Sequence, residues 1–274
     1  MQPDNDKVDM NMEENSLSPT SITRDLKTRF VGRKAFYYPS LASTHDMAKQ
    51  EARHGATEGT IIIADEQTSG KGREKRVWLS PKGCIALSII LYPSLIYLPS
   101  LIMVASLAVV HAIEEVTGLK AQIKWPNDVI INDKKVCGIL IENEVLGERV
   151  DYAIIGVGMN VNLRTADYTE IQSIATSLSD ELGNNISRLD LIQCLLVEIE
   201  RLYLTLLSGE SIYEEWRDRL ATLGKTVQVK MGETTYDGIA EAVVRDGSLL
   251  LRQRDGSLTE IVAGDVALRY SKEK

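Results

Sequence analysis

From Cys84 to Ala112 the chain carries no Asp, Glu, Lys or Arg, and no other stretch restricts the fold as much. A run of that length without charge has to be buried, either in a bilayer or in a protein core. Pro93 and Pro99 divide it. The piece before them, residues 85–92, has the length of a strand. The piece after, residues 101–113, is shorter than the roughly 20 residues that a spanning helix needs. The run therefore predicts a buried strand followed by a buried helix over about 98–116, closed by Gly118. Covering both on all sides takes one sizeable core, which 274 residues at 44% hydrophobic can supply along with a small second domain.

The flanking sequence supplies the cover. Residues 1–16 are polar and acidic with almost nothing to bury, and they predict a disordered tail. Ser18-Pro19-Thr20 can cap a short helix running through Leu26, with Gly32 beyond it. This leader, residues 1–33, is expected to be too short and too acidic for a DNA-binding domain. Residues 35–38 read as a strand, and Ser43-Thr44 cap a helix from His45 toward His54, ended by Gly55. Residues 60–64 are β-branched and apolar, a central strand. Residues 122–131 read as a strand interrupted by a polar and aromatic cluster around Pro126. Asn132-Asp133-Lys134-Lys135 makes a hairpin turn, and 136–145 and 152–161 form two further strands. Leu191, Leu195, Ile199, Leu202 and Leu206 recur at helical spacing within 187–207, and a second helix is expected over 212–223. Beyond Gly224, short alternating strands and the turns Arg245-Asp246-Gly247 and Arg254-Asp255-Gly256 predict a small antiparallel barrel. Hairpin-paired strands mixed with long helices give an α+β class, a mixed sheet with flanking helices.

Charge narrows the chemistry. Against a formal net charge of -8, residues 71–76 hold four cations and one carboxylate, threaded on Gly70 and Gly72. Backbone N–H groups at glycines and clustered cations suit a phosphate or carboxylate ligand, although the same composition also describes a solvated surface loop. The acidic balance argues against a general nucleic-acid binder, because phosphate neutralisation needs a basic face. Cys84, Cys137 and Cys194 are widely spaced in apolar surroundings, as reduced core residues would be. His45, His54 and His111 lack metal-ligand spacing. The N-terminal residues form no signal segment, so the cytoplasm is expected. Gly156-Val157-Gly158 does not complete a dinucleotide fingerprint, and there is no P-loop. Phosphates would then have to be held by side chains, with Lys71, Arg73, Arg76, Lys124 and Lys135 available near strand ends.

Five segments in this order carry a more specific signal: Ser43-Thr44-His45-Asp46; Gln67 to Pro81 with Gly70-Lys71-Gly72-Arg73, Arg76 and Trp78; Lys124-Trp125-Pro126-Asn127-Asp128; Lys135 to Glu142 with Gly138-Ile139; and Gly156-Val157-Gly158-Met159-Asn160-Val161. Over about residues 34–271 the chain resembles biotin–protein ligase, also called biotin–[acetyl-CoA-carboxylase] ligase. The resemblance implies a catalytic domain like that of class II synthetases over 34–223 and an SH3-like barrel over 224–274. It implies ATP and biotin as substrates with Mg2+. It also implies activation of biotin as biotinyl-5'-AMP and transfer to a lysine of a biotin carboxyl carrier protein, by a monomer or a homodimer with no membrane or nucleic-acid partner.

Carried over motif by motif, Arg73, Lys135 and Lys124 would be catalytic. Ser43, Thr44, Gln67, Gly70, Lys71, Arg73, Lys135, Gly138, Ile139, Gly156 and Gly158 would hold biotin, with Ser43, Thr44 and Gln67 reading its ureido ring. Arg73, Arg76, Trp78, Lys124, Asn127, Asp128 and Asn160 would hold ATP and the adenylate, with Asp128 on the metal. Trp125 and Pro126 read as scaffold. The family loop usually has Arg where Lys71 stands and Gly where Lys75 stands. Lys71 loses a bidentate fork, and Lys75 is strained if its position needs a positive φ. The loop is expected to be mobile when empty and to close over the adenylate. A biotinyl-adenylate-dependent repressor is the alternative from another class, and a lipoate ligase the alternative enzyme.

Overall fold

A computed structural model of the protein describes residues 17–262 and 264–268; the expected tail at 1–16 and the last residues of the expected barrel lie outside this range. The main unit is a seven-stranded sheet of order β1-β2-β3-β7-β6-β5-β4. Its strands are β1 (Ala35–Tyr38), β2 (Ile61–Ala64), β3 (Ile85–Leu91), β4 (Gln122–Lys124), β5 (Asp128–Ile131), β6 (Lys134–Leu146) and β7 (Arg149–Met159). β1 and β2 are parallel, and every other neighbouring pair is antiparallel. The class is α+β with a mixed sheet, as expected.

Both halves of the uncharged run are deeply buried. β3 is buried along its whole length. The helix that follows, Leu101–Thr117, ends at Gly118 with φ 72° and buries Leu101, Met103, Val104, Leu107, Val110 and Ile113 among others. It packs between the sheet and the helix Arg188–Leu207, whose buried residues include Leu191, Leu195, Ile199, Leu202 and Leu206. No helix among the described residues is long and apolar enough to cross a membrane.

Alternation along the strands sorts the sheet into two faces. Ile61, Ile63, Leu87, Ile89, Ile155 and Val157 point into the large core under these helices. Ile62, Ile90, Tyr152 and Ile154 point the other way, under Ala48 and Ala52 of the helix Thr44–Arg53. Further along that second face the side chains shrink to Ser88, Gly156 and Gly158. The first turn of the helix meets them only at its edge, Thr44 at Ser88 and His45 at Gly156, and a patch of sheet bare of large side chains is left open.

Three expectations need correction. Residues 122–131 are not one interrupted strand but a hairpin, with Lys124 paired to Asp128 across a turn containing a cis Trp125–Pro126 peptide. Proline cannot donate to a ladder, and here the chain reverses at it instead of bulging. The helix expected over 212–223 is only Tyr213–Asp218, because Leu220 and Ala221 leave it and Ile123 and Ala221 form a backbone bond. The leader helix is Pro19–Thr23 and stops well before Leu26.

The second unit is a five-stranded antiparallel sheet of order β11-β10-β9-β8-β12, made of β8 (Thr226–Met231), β9 (Thr234–Val243), β10 (Leu249–Arg252), β11 (Leu258–Ile261) and β12 (Asp265–Leu268). Its apolar face, with Val227, Val229, Leu249, Leu251 and Ile261, continues into the main core. The Trp125 indole N–H donates to the Gly247 carbonyl at 2.8 Å, which ties the β4–β5 turn to this sheet. Trp125 makes this tie and, with Pro126, also lines the cavity over the open patch of sheet.

Candidate functional site

Over the bare patch lies a cavity of about 520 Å³. One wall is the N-terminus of the helix Thr44–Arg53, where the Ser43 hydroxyl accepts from Asp46 N–H as N-cap. Another wall is the segment 71–79 after β2, and a third is the β4–β5 turn with the start of β6. Of the residues singled out in the sequence, Ser43, Thr44, Gln67, Lys71, Arg73, Arg76, Trp78, Lys124, Asn127, Asp128, Lys135, Gly138, Ile139, Gly156, Gly158 and Asn160 all line it.

Gly70 does not line it. A Cβ at Gly70 would run into the Trp78 carbonyl oxygen, so this glycine permits a close backbone approach within the loop. Lys75 also stays off the wall, and it has φ 62°, with Glu74 at 53°. The position that the family fills with glycine is therefore left-handed here.

The floor is neutral and polar. Thr44 donates from both N–H and hydroxyl to Gln67 Oε1, at 2.9 and 3.1 Å, and Ser88 donates to Thr44 Oγ1 at 2.9 Å. Beside them His45 is buried against Gly156, and its Nε2 lies 3.1 Å from Glu142 Oε2 without the alignment of a hydrogen bond. His45 and the paired Lys49 ammonium pull the Glu142 carboxyl down to about 2.

The mouth is cationic. Arg73 Nη1 donates to Asn127 Oδ1 and to the Gly264 carbonyl, both at 3.1 Å, so the second sheet reaches the site through its own backbone. Asn127 Nδ2 donates in turn to the Ile139 carbonyl at 2.7 Å. Lys135 Nζ lies 2.6 Å from Asp128 Oδ1 and 5.1 Å from the centre of the Trp78 ring. Lys71 is paired with Asp46 at 2.7 Å, anchoring the loop to the capped helix.

Trp78 explains two glycines. Gly138 and Gly158 are cross-strand partners on β6 and β7, and a Cβ on either would meet the indole, at 3.0 Å from Cζ3 for Gly138 and 2.6 Å from Cε2 for Gly158. Together they form a slot for a flat ring. The indole N–H is buried there with no hydrogen-bond partner among the described residues. The Asn160 amide is committed within the wall, donating to the Thr176 carbonyl at 3.0 Å. Cys137, next along β6 from Gly138, faces the large core instead, where burial pushes its thiol far up.

Sequence reasoning missed several wall residues. Ser88 was visible only as a hydroxyl inside a buried strand, and His45 only as a member of a motif. Glu170, Ile171, Ile174 and Ala175 gave no signal, because the segment is held by backbone: Lys135 N–H donates to the Ile174 carbonyl, and Thr176 N–H to the Lys135 carbonyl.

Comparison with known proteins now decides the family. A model described as the biotin/lipoate A/B protein ligase family matches residues 37–160, and one described as the biotin protein ligase C terminal domain matches residues 222–269. The bifunctional ligase/repressor BirA of Bacillus subtilis is 38% identical over 92% of this chain and 79% of its own length. The chain belongs to the biotin protein ligase family. The biotin--[acetyl-CoA-carboxylase] ligase of Paracoccus denitrificans is 31% identical over 72% of this ligase and 86% of its own length. The structure of the Aquifex aeolicus biotin protein ligase, in complex with biotin and ATP, superposes with a TM-score of 0.73 at 31% identity, covering 87% of this ligase and 100% of that chain. The activity of the family, and of this ligase, is biotin–protein ligation.

Proposed function

We propose that this ligase joins the carboxylate of biotin to the α-phosphate of ATP, with release of pyrophosphate, and then passes the biotinyl group from the 5'-adenylate to the side-chain amine of a lysine on a biotin carboxyl carrier protein, that of acetyl-CoA carboxylase. The observation that carries this reading is the gradient along one cavity, from the neutral polar floor at Thr44, Gln67 and Ser88 to the cationic mouth at Arg73, Arg76, Lys124 and Lys135. A fused ureido and thioether ring system fits the former, and a carboxylate meeting a triphosphate fits the latter.

Attack of one anion on another needs cations that screen repulsion and stabilise charge building on the phosphoryl oxygens. Arg73 is pre-aimed for this by Asn127 and the Gly264 carbonyl. Lys135, held by Asp128, supplies a second charge at the reacting carboxylate, and Lys124 and Arg76 take the outer phosphates. In the transfer step the lysine amine attacks the biotinyl carbonyl and AMP leaves. The same cations stabilise the leaving phosphate. Gly70 and Lys71 shape and anchor the loop that covers the ligand, Gly156 and Ile139 line the ring pocket, and Trp78 packs between the two substrates.

Among the described residues no three metal-ligating side chains cluster. Magnesium is commonly held by one or two carboxylates together with substrate phosphates, and Asp128 fits that pattern. When bound, the ion draws negative charge from the phosphates. The catalytic unit is taken as 34–223 and the second unit as 224–274. A repressor role, which the printed name of the Bacillus subtilis relative includes, is not part of this reading, because a net charge of -8 opposes general phosphate contacts.

Exchange of labelled pyrophosphate into ATP tests the first step. Exchange should require biotin and fall at least about 100-fold in Arg73→Ala, roughly the loss of one charge-stabilising donor. Exchange independent of biotin would contradict the reading.

A further inference from the structure

The sheet itself holds Lys135 only loosely at its root. β7 ends at Met159, opposite Cys137 and short of Lys135. On the other flank the ladder to β5 slips: Val129 pairs with Cys137 but Ile130 with Lys135, which leaves Val136 bulged between them. A bulge breaks the ladder and re-aims the side chains beside it. What covers Lys135 is a single parallel bridge to Ala175, in which Lys135 N–H donates to the Ile174 carbonyl at 3.0 Å and the Lys135 carbonyl accepts from Thr176 N–H at 2.9 Å.

That bridge belongs to a wall segment with little burial of its own, since Gln172, Ser173 and Ile174 are exposed. Its two ends are pinned by consecutive carboxylates of the helix Leu178–Leu182, whose Leu178 is anchored in the core. Asp180 Oδ2 accepts from the Thr165 N–H and hydroxyl, at 3.0 and 2.6 Å. Glu181 Oε1 accepts from the Thr176 hydroxyl at 2.5 Å, and its Oε2 accepts from Asn132 Nδ2 at 2.7 Å. Asn132 lies in the β5–β6 turn with φ 50°, shortly before Lys135. One carboxylate therefore joins the two pieces of chain that meet at Lys135: the turn that leads into it and the segment that grips its backbone.

We propose that Glu181 is a positioning residue for Lys135: by tying Thr176 to Asn132 it fixes the backbone from which the ammonium reaches the reacting carboxylate. The inference rests on Lys135 acting in biotin activation. Glu181 does not line the cavity, so its effect on the reaction passes through Lys135. Without the tie the bridge is free to slip, and a misplacement of about 1 Å can cost about 100-fold in rate. Asp128 still steadies the ammonium end of the side chain, which makes the expected loss smaller.

The test is a double-mutant cycle read in kcat for biotin-dependent pyrophosphate exchange. Glu181→Ala should lower kcat about tenfold on its own, but by no more than about twofold in Lys135→Ala, where no ammonium is left to place; a merely structural effect would multiply through both backgrounds. Glu181→Gln keeps an oxygen for Asn132 and an N–H for the Thr176 hydroxyl, and it should recover most of the lost rate. Should Glu181→Ala not fold, Thr176→Val, which removes the hydroxyl at nearly constant shape, should show the same non-additivity with a loss of about fivefold, roughly one hydrogen bond. An unchanged kcat in Glu181→Ala, equal losses in both backgrounds, or a Glu181→Gln variant as slow as the alanine one overturns the role of Glu181. Full exchange in Lys135→Ala, or none in the wild type, overturns the functional reading instead.

Discussion

Lys75 is the residue at which sequence and structure meet most directly. The family pattern asks for glycine there, and the backbone answers with φ 62°. A side chain in that region costs about 1 kcal/mol. Lys75→Gly should therefore tighten the loop, slowing amide hydrogen exchange across residues 72–77 by about threefold to fivefold. Exchange that is unchanged or faster would show that the Lys75 side chain holds the turn by contacts that outweigh its strain. Glycines 138 and 158 were legible as site residues but not as a slot for Trp78, because their function depends on a cross-strand pairing between residues 20 positions apart. Gly70 is the reverse case. Its motif marked it as a ligand contact, and the fold uses it to let two stretches of backbone pass.

At the scale of elements, the uncharged run and the helical spacing of 187–207 were readable because burial on all sides leaves its mark on composition. The β4–β5 turn was not, since an apolar run broken by polar residues looks alike whether it bulges or reverses. Nor did the sequence show how the leader is held. Glu200, buried on the helix Arg188–Leu207, accepts the backbone N–H groups of Arg29, Phe30 and Val31 at 2.6, 2.8 and 3.0 Å. Gln193, two turns earlier on the same helix, donates to the carbonyls of Ile22 and Arg24. Leu17, Ile22, Leu26 and Val31 complete the attachment as core residues. Glu200→Ala leaves three backbone donors, that of Val31 buried, without this carboxylate and should cost on the order of 3 kcal/mol, read as a fall in the denaturant midpoint at unchanged slope. A midpoint within error of the wild type would mean that the leader adds no stability through this carboxylate.

Across the whole molecule, His111 joins three helices. It lies 2.8 Å from Glu198 of the helix Arg188–Leu207 and 2.7 Å from Glu215 of the helix Tyr213–Asp218. The latter helix carries the second sheet, with the Tyr213 hydroxyl donating to the Val243 carbonyl. The hydrogen bond to Glu198, then the charges on Glu215 and Glu198, raise the His111 pKa against the opposing effect of burial. Because the folded value lies above the ordinary 6.5, the stabilisation is full below that pH and is lost as pH rises through the folded pKa. His111, followed by Arg201, holds Glu198 down at about 2, so its contribution is present above the ordinary 4.5 and lost as pH falls toward 2. Between about pH 4.5 and 6.5 both contributions are complete. Thermal denaturation from pH 6 to pH 9 should show a steeper fall in Tm for the wild type than for His111→Gln. Parallel curves would remove His111 from the account.

The central claim is that this cavity makes an activated biotin and delivers it to a lysine. Mass spectrometry of a biotin carboxyl carrier domain incubated with the ligase, biotin and MgATP tests it most directly, with Lys135→Ala run alongside. One biotinyl amide should appear on one lysine, ATP-dependently, and its rate should fall at least about 100-fold in the variant, in line with losing a charge that acts in the transition state. An unmodified carrier domain, or full labelling by Lys135→Ala, would contradict the account.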